Sequence, residues 1–230
     1  MFRFKQFEIE DNQSTMKVCT DSVILGAWVA IGEAERILDI GTGCGLLSLM
    51  CAQRSKAWIT GIDIHFPSIE QAQENFKKSR WKNRLKAKHI ALEDYEGNSF
   101  DYIITNPPFF INSLKVKNPV RNLARHTDEF RHKLMLVDCK RLLNDKGSFG
   151  IILPVFEARY FEEMAMDNGF IPKRKLFVSS KEGYDPYLVL AEYSLSDRAC
   201  QSESLSIHPA GMNSYTQEYR RLTEDFYLNF

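Results

Sequence analysis

The sequence predicts an α/β fold built on a doubly wound, mostly parallel sheet with helices on both faces, and three observations carry that expectation. Arg36-Ile37-Leu38-Asp39-Ile40 reads as a buried strand that runs into Gly41, Gly43 and Gly45 and then into a helical stretch ending near Arg54. A second strand-like run, 58–63, ends in Asp63, 24 residues after Asp39. An acid at that spacing is where such sheets hydrogen-bond ribose hydroxyls. A third run, 100–105, ends in Asn106-Pro107-Pro108-Phe109, at the carboxyl edge where parallel sheets gather their ligands.

The remaining elements follow in order. Residues 2–9 alternate apolar and polar side chains, which predicts a short strand or hairpin arm, and 11–15 is turn-like. Thr20-Asp21-Ser22 precedes the apolar run 23–30, so a helix of about ten residues is expected there behind a polar N-cap. Thr20 and Asp21 either line a ligand site or only cap. A helix is expected over 67–78 and a strand over 87–92, leading to Glu93 and Asp94. Beyond Phe109, 112–126 carries few helix signals and reads as a long loop. Next come a helix over 127–143, a strand over 147–153, a helix over 156–167 and a closing strand pair at 174–178 and 187–193. Residues 197–206 are polar without periodicity and read as a linker. Tyr215, Tyr219, Leu222 and Phe226 recur at helical spacing and predict a helix docked on the core. One domain is expected, with an arm and helix over 1–34 completing the ligand site, a core over 35–195, and a linker and docked helix over 196–230.

Composition narrows the function. Thirty basic and 30 acidic side chains balance, so no global field draws the chain to nucleic acid or anionic membranes, and any such site must come from a local patch. The five cysteines are odd in number and contain no C-x-x-C pair. That argues against a disulfide framework and a zinc site, and a metal-free protein of the reducing cytoplasm is expected. The longest apolar stretches, near 23–31 and 149–156, are too short to span a membrane, and the charged N-terminal residues have no signal-peptide layout. A monomer is expected.

The chemistry centres on the Pro-Pro corner. Two prolines remove two backbone donors, which leaves the Asn106 side-chain oxygen and the Pro107 carbonyl as acceptors on a backbone with restricted φ. Such a pair suits a planar amino group. Its nitrogen lone pair is delocalised into the neighbouring π-system; two acceptors that take both protons favour a pyramidal nitrogen and free the lone pair for attack. Phe109 offers an aromatic face for a flat ring. In the glycine turn the pattern is D-x-G-x-G-x-G rather than the G-x-G-x-x-G of dinucleotide folds. A carboxylate there suits a cationic amino-acid group and not a pyrophosphate. The cofactor indicated is S-adenosyl-L-methionine, with Asp39 near its methionine end, Asp63 and Ile64 at the ribose, and Glu93 and Asp94 at the adenine edge.

Together, the turn from Asp39 to Gly45, the acid Asp63 and the Asn106–Phe109 corner resemble the class I, Rossmann-like amino methyltransferases that use S-adenosylmethionine. The stretch Met16-Lys17-Val18-Cys19-Thr20-Asp21-Ser22-Val23-Ile24-Leu25-Gly26-Ala27-Trp28, the basic segment with Arg121, Arg125 and His126, and the stretch from Tyr219 to Leu228 are more specifically similar to the bacterial valine-tRNA adenine-N6 methyltransferases. Cys19 and Ser22 stand where that family's pattern has glycine. The resemblance implies a seven-stranded sheet with its last strand reversed, a tRNA partner, and methylation of N6 of the adenine beside the anticodon. RNA binding needs cations. Seven lie between Lys77 and Lys88 with no acid, and eight between Lys115 and Arg141 against three acids. The second cluster follows the reactive corner, so Lys115, Lys117, Arg121, Arg125 and His126 are expected to contact RNA, the first being a solvated surface. Alternative readings are glutamine N5 methylation of a protein such as a release factor, adenine-N6 methylation of DNA or rRNA, and a cofactor-binding RNA chaperone without turnover.

Overall fold

The computed structural model describes residues 1–97, 99–108, 120–196, 200–212 and 214–229, with the side chains of 120–130 left out of account. Two elements form a small hairpin arm, β1 (Phe2–Arg3) and β2 (Glu8–Ile9), paired antiparallel. Helix α1 (Thr20–Trp28) follows, then the alternation β3 (Arg36–Ile40), α2 (Leu46–Arg54), β4 (Trp58–Asp63), α3 (Phe66–Lys78), β5 (Leu85–His89) and β6 (Phe100–Thr105). The chain continues with α4 (Val120–Leu142), β7 (Leu143–Pro154), α5 (Val155–Asp167), β8 (Ile171–Lys181), β9 (Leu188–Ser194), β10 (Gln201–His208) and α6 (Gln217–Thr223).

The other described strands form one eight-stranded sheet in the order β10-β8-β9-β7-β6-β3-β4-β5, in which β9 alone runs against its neighbours. Side chains alternate between its two faces, as a sheet covered on both sides requires. Ile37 and Tyr102 pack into one apolar cluster with α1, α2 and α6, whereas Leu38 and Ile103 pack into the other with α4 and α5. The α/β class with a mostly parallel sheet is thus as expected. No helix among the described residues is long and apolar enough to cross a membrane.

Four expectations need correction. The polar stretch read as a linker contains β10, which pairs parallel to β8 from Gln201 opposite Arg174 to His208 opposite Lys181, so the sheet has eight strands rather than seven. Only Leu205 and Ile207 of β10 are buried apolar residues, and the strand is held by backbone pairing rather than by an apolar face. Helix α4 begins at Val120, inside the stretch read as a loop. Strand β7 begins at Leu143 and not at 147. Helix α1 begins at Thr20 with Cys19 as N-cap and no side-chain cap bond, so Thr20, Asp21 and Ser22 form its first turn instead of capping it.

The site is framed by how α1 is fixed. At its C-terminal end, Arg54 Nη1 donates to the carbonyls of Gly26 and Val29, both at 2.8 Å. The buried Glu192 accepts from the Ala30 amide at 2.7 Å and the Tyr102 hydroxyl at 2.5 Å, and pairs with Arg174 at 3.2 Å. A buried carboxylate is tolerable only with such partners. The arm is pinned to α3, because Asn75 accepts from the Glu10 amide at 3.0 Å and donates to the Glu10 and Cys44 carbonyls, each at 2.8 Å. Its outer end is clasped to residues 224–227: the Lys5 amide donates to the Phe226 carbonyl at 2.8 Å, Lys5 Nζ donates to the Glu224 carbonyl at 2.6 Å, and the Phe4 and Tyr227 rings lie 5.9 Å apart.

Candidate functional site

The carboxyl ends of β3, β4 and β6 surround a cavity of about 600 Å³. Its floor is the turn after β3, where the chain leaves the sheet through three glycines of positive φ, 68° at Gly41, 55° at Gly43 and 88° at Gly45. At Gly45 the reason is steric. A Cβ would lie 2.4 Å from the Phe76 ring, so only glycine lets α3 pack against the start of α2. Gly41 is different: a Cβ there would meet nothing within 4 Å, and its backbone is open to the cavity.

Of the residues singled out in the sequence, Gly41, Gly43, Asp63, Ile64, Glu93, Asn106, Pro107 and Pro108 line this cavity. Asp63 sits at the end of β4 with its carboxylate held by the Gly43 amide at 3.0 Å and the His65 amide at 2.8 Å. Each oxygen keeps a second lone pair for a hydroxyl. Ile40, Ile62, Ile90 and Leu92 supply apolar wall, the kind of surface that accepts a flat base.

Thr20, Asp21, Asp39, Gly45 and Asp94 are not on the cavity wall. Asp39 is fully buried beneath the glycine turn, where Oδ2 accepts from the Thr42 hydroxyl at 2.6 Å, the Ser48 hydroxyl at 2.7 Å and the Ser48 amide at 3.1 Å. Burial raises its carboxyl to about 6 against the pull of these three donors. Its place is that of a tie between β3 and α2. Thr20 is exposed, and Asp21 is half-buried on the first turn of α1, its carboxyl raised by burial. Asp94 is exposed in the turn after Glu93. Phe109, Lys115 and Lys117 lie outside the described residues. Arg121, Arg125 and His126 fall within α4 instead of the loop expected there. In the other basic cluster, Lys77 and Lys78 pair with Glu74 and Glu10, and Arg84 is turned inward onto the carbonyls of Ala52 and Ala57.

Asn106 is the polar centre of the site. It is 7% exposed; its amide nitrogen donates to Ser22 Oγ at 2.7 Å, and its Oδ1, buried, has no partner among the described residues. An acceptor left unsatisfied in a cavity wall costs free energy unless a ligand's donor meets it. The backbone at Pro107 and Pro108 continues the wall and donates nothing. The corner therefore accepts protons on one side, while the acid Asp63 stands on the next strand but one. Met16 comes from the family-like stretch before α1, and two residues the sequence did not single out complete the wall, His65 from the start of α3 and Met135 from α4. No local pattern marks them, since each is brought in by packing.

Comparison with known proteins points the same way. Residues 14–156 match the family described as the methyltransferase small domain. Over its full length the chain is similar to proteins named tRNA1(Val) (adenine(37)-N6)-methyltransferase. Identity is 40% to that of Trichodesmium erythraeum, over 100% of this chain and 98% of the relative. It is 39% to that of Vibrio campbellii, over 99% and 95%, and 37% to that of Bacteroides fragilis strain YCH46, over 99% and 97%. Among solved structures, a predicted O-methyltransferase from Agrobacterium tumefaciens superposes with a TM-score of 0.68 at 16% identity, covering 90% of this chain and 96% of that one. A putative RNA methyltransferase from Pyrococcus horikoshii gives 0.57 at 16%, covering 84% and 93%. At such identities these two establish the shared fold and nothing finer.

Proposed function

The chain belongs to the family of tRNA1(Val) (adenine(37)-N6)-methyltransferases, and from that premise we propose that it moves the methyl group of S-adenosylmethionine to N6 of an adenine in the anticodon loop of a valine tRNA. The observation that carries the chemistry is the buried, unpartnered Oδ1 of Asn106, a residue that lines the cavity. It is the acceptor that an exocyclic amino group needs. When bound, S-adenosylmethionine supplies an electrophilic methyl on a sulfonium sulfur.

The cavity's residues suit that molecule. The acid Asp63 takes ribose hydroxyls, the aliphatic wall of Ile62, Ile90 and Leu92 takes the base with Glu93 at its edge, and the open backbone at Gly41 takes the amino-acid end. Asn106 Oδ1 and the Pro107 carbonyl would each accept a hydrogen bond from the target amino group, which frees its lone pair for attack. This interaction strengthens as the nitrogen becomes pyramidal, so it lowers the barrier more than it tightens binding. A surplus proton then leaves to solvent, and no strong base is required. The target base must be unstacked from the loop to reach the corner, with Phe109 as its stacking partner and Lys115, Lys117, Arg121, Arg125 and His126 on the flanking phosphates.

The test is direct. Unmodified valine tRNA incubated with the protein and methyl-labelled cofactor, digested and read by mass spectrometry, is expected to carry label in N6-methyladenosine of the anticodon-loop fragment. Label on a glutamine side chain of a protein substrate, with none in tRNA, would replace this reading.

A further inference from the structure

Ser22 carries a buried hydroxyl that its own helix does not use. It is the third residue of α1, whose N-cap Cys19 is extended and makes no side-chain cap bond. A hydroxyl taken out of water needs a partner, and Ser22 finds one 84 residues away, where Asn106 Nδ2 donates to its Oγ at 2.7 Å. Around the same nitrogen lie Met16 Sδ at 3.6 Å and Cys19 Sγ at 4.0 Å, with Cys19 Sγ 3.4 Å from Ser22 Oγ. A thioether has no proton to give, so Met16 makes a polar contact only with the NH2 end of the amide, and this fixes the sense of the bond. Cys19 and Ser22 meet each other, and they meet at one amide.

We propose that Ser22 is a positioning residue that locks the Asn106 amide with its NH2 turned away from the cavity, so that Oδ1 alone faces the methyl-accepting amino group; the catalytic part of this rests on the adenine-N6 reading. An amide side chain has two orientations related by a half-turn about its Cβ–Cγ bond. The flipped one turns the NH2 toward the cavity and sets Oδ1 against the Met16 sulfur, which has no proton to give, whereas the Ser22 hydroxyl can hydrogen-bond either end of the amide. With the Ser22 hydroxyl in place, the acceptor-out orientation keeps a short hydrogen bond. Without it, only two sulfur atoms, both weak acceptors, hold the NH2 end, and the amide rotates more freely.

Two measurements test this, and they fail separately. In protein labelled with 15N at asparagine, the Asn106 side-chain NH2 signals, identified by their loss in Asn106→Asp, are expected to exchange with solvent about tenfold faster in Ser22→Ala than in the wild type. Unchanged exchange would overturn the lock whatever the substrate is. In single turnover on tRNA, Ser22→Ala and Ser22→Gly are expected to lower the methyl-transfer rate about tenfold with the cofactor Kd unchanged, and Ser22→Thr, which restores the oxygen, to recover most of it. Adding Ser22→Ala to Asn106→Ala should cost nothing further, because the two act as one unit. Faster exchange with wild-type rates would sink the positioning role. A wild-type protein that leaves tRNA unlabelled would overturn the adenine-N6 reading instead, and the exchange comparison would still decide whether Ser22 holds the amide.

Discussion

Two buried polar side chains stand at neighbouring strand ends, Asp39 on β3 and Asn106 just past β6, and each keeps one oxygen without a partner among the described residues. They differ in where the other polar atom is tied. Asp39 Oδ2 gathers three donors from the turn and first residues of α2, all local in sequence, and the carboxylate stays off the cavity wall. Asn106 gives its nitrogen to Ser22 on another element and lies on the wall. The charged group is tied to the turn and helix beside it, and the neutral one is tied across the fold at the edge of the cavity. A carboxylate at the Asn106 position would carry a desolvation cost that a neutral amide avoids.

The largest effect that would break this contrast concerns Asn106. Asn106→Ala is expected to lower kcat by roughly 10²–10⁴-fold with the cofactor Kd nearly unchanged, because the lost bond forms mainly in the transition state, and to cost about 1–3 kcal/mol of stability through the stranded Ser22 hydroxyl. Asn106→Asp, which keeps an acceptor, should retain more activity than Ala. Single-turnover rates would decide it, and near wild-type turnover by Asn106→Ala would mean that the corner only shapes the chain.

For Asp39 the pattern should invert. Asp39→Ala strands three donors beneath the turn and should cost about 2–3 kcal/mol of stability by urea unfolding. Asp39→Asn sharpens the point through pH. The folded protein holds the Asp39 proton up to about pH 6, whereas the unfolded chain releases it near 3.8, so this group's contribution to stability is full below 3.8 and is lost as pH rises through about 6. Wild type minus Asp39→Asn should therefore decline across that window, by on the order of 1–3 kcal/mol. A flat difference would show that the carboxylate ionises in the folded protein as freely as in the unfolded chain.

Asp63 lies between the two cases, since it both holds the glycine turn and faces the cavity. Asp63→Ala is expected to weaken cofactor binding by about 1–3 kcal/mol in calorimetry, with a smaller loss of stability. The smallest effect is assigned to the basic segment. Replacing Lys115, Lys117 and Arg121 with alanine should raise the KM for tRNA several-fold, flatten its salt dependence and leave cofactor affinity alone. An equal effect from Lys82, Arg84 and Lys86 would move the RNA surface to the other cluster.

How much of this was legible in the sequence follows from what is local. The strand, glycine turn and helix at 36–54 lie within one short stretch, and so does the corner at Asn106, Pro107 and Pro108; both appear where expected. β10 was not legible, because Gln201-Ser202-Glu203-Ser204 has little strand propensity and the apolar alternation is confined to Leu205 and Ile207 at its end. The start of α4 was not legible because Arg121, Arg125 and His126 read as part of a substrate loop after the corner. Asp39 looked like a ligand because strand-end acids often are; its burial depends on how α2 closes over it. The Ser22 contact spans 84 residues, and no window of sequence contains it.

The clasp of Lys5 on Glu224 and Phe226 bears on the order in which this protein can assemble. The Lys5–Glu224 contact joins residues 219 apart in the chain, and loop closure over such a separation comes late in folding, after strands that pair with near neighbours. β3 and β4 need only the chain between them, whereas α1 packs on α6 and its preceding arm is fastened by residues 224–227. A refolding molecule would regain its sheet and glycine turn first and fasten the arm only when the last helix has docked. Partly folded chains would then hold the turn that floors the cavity before the arm is in place.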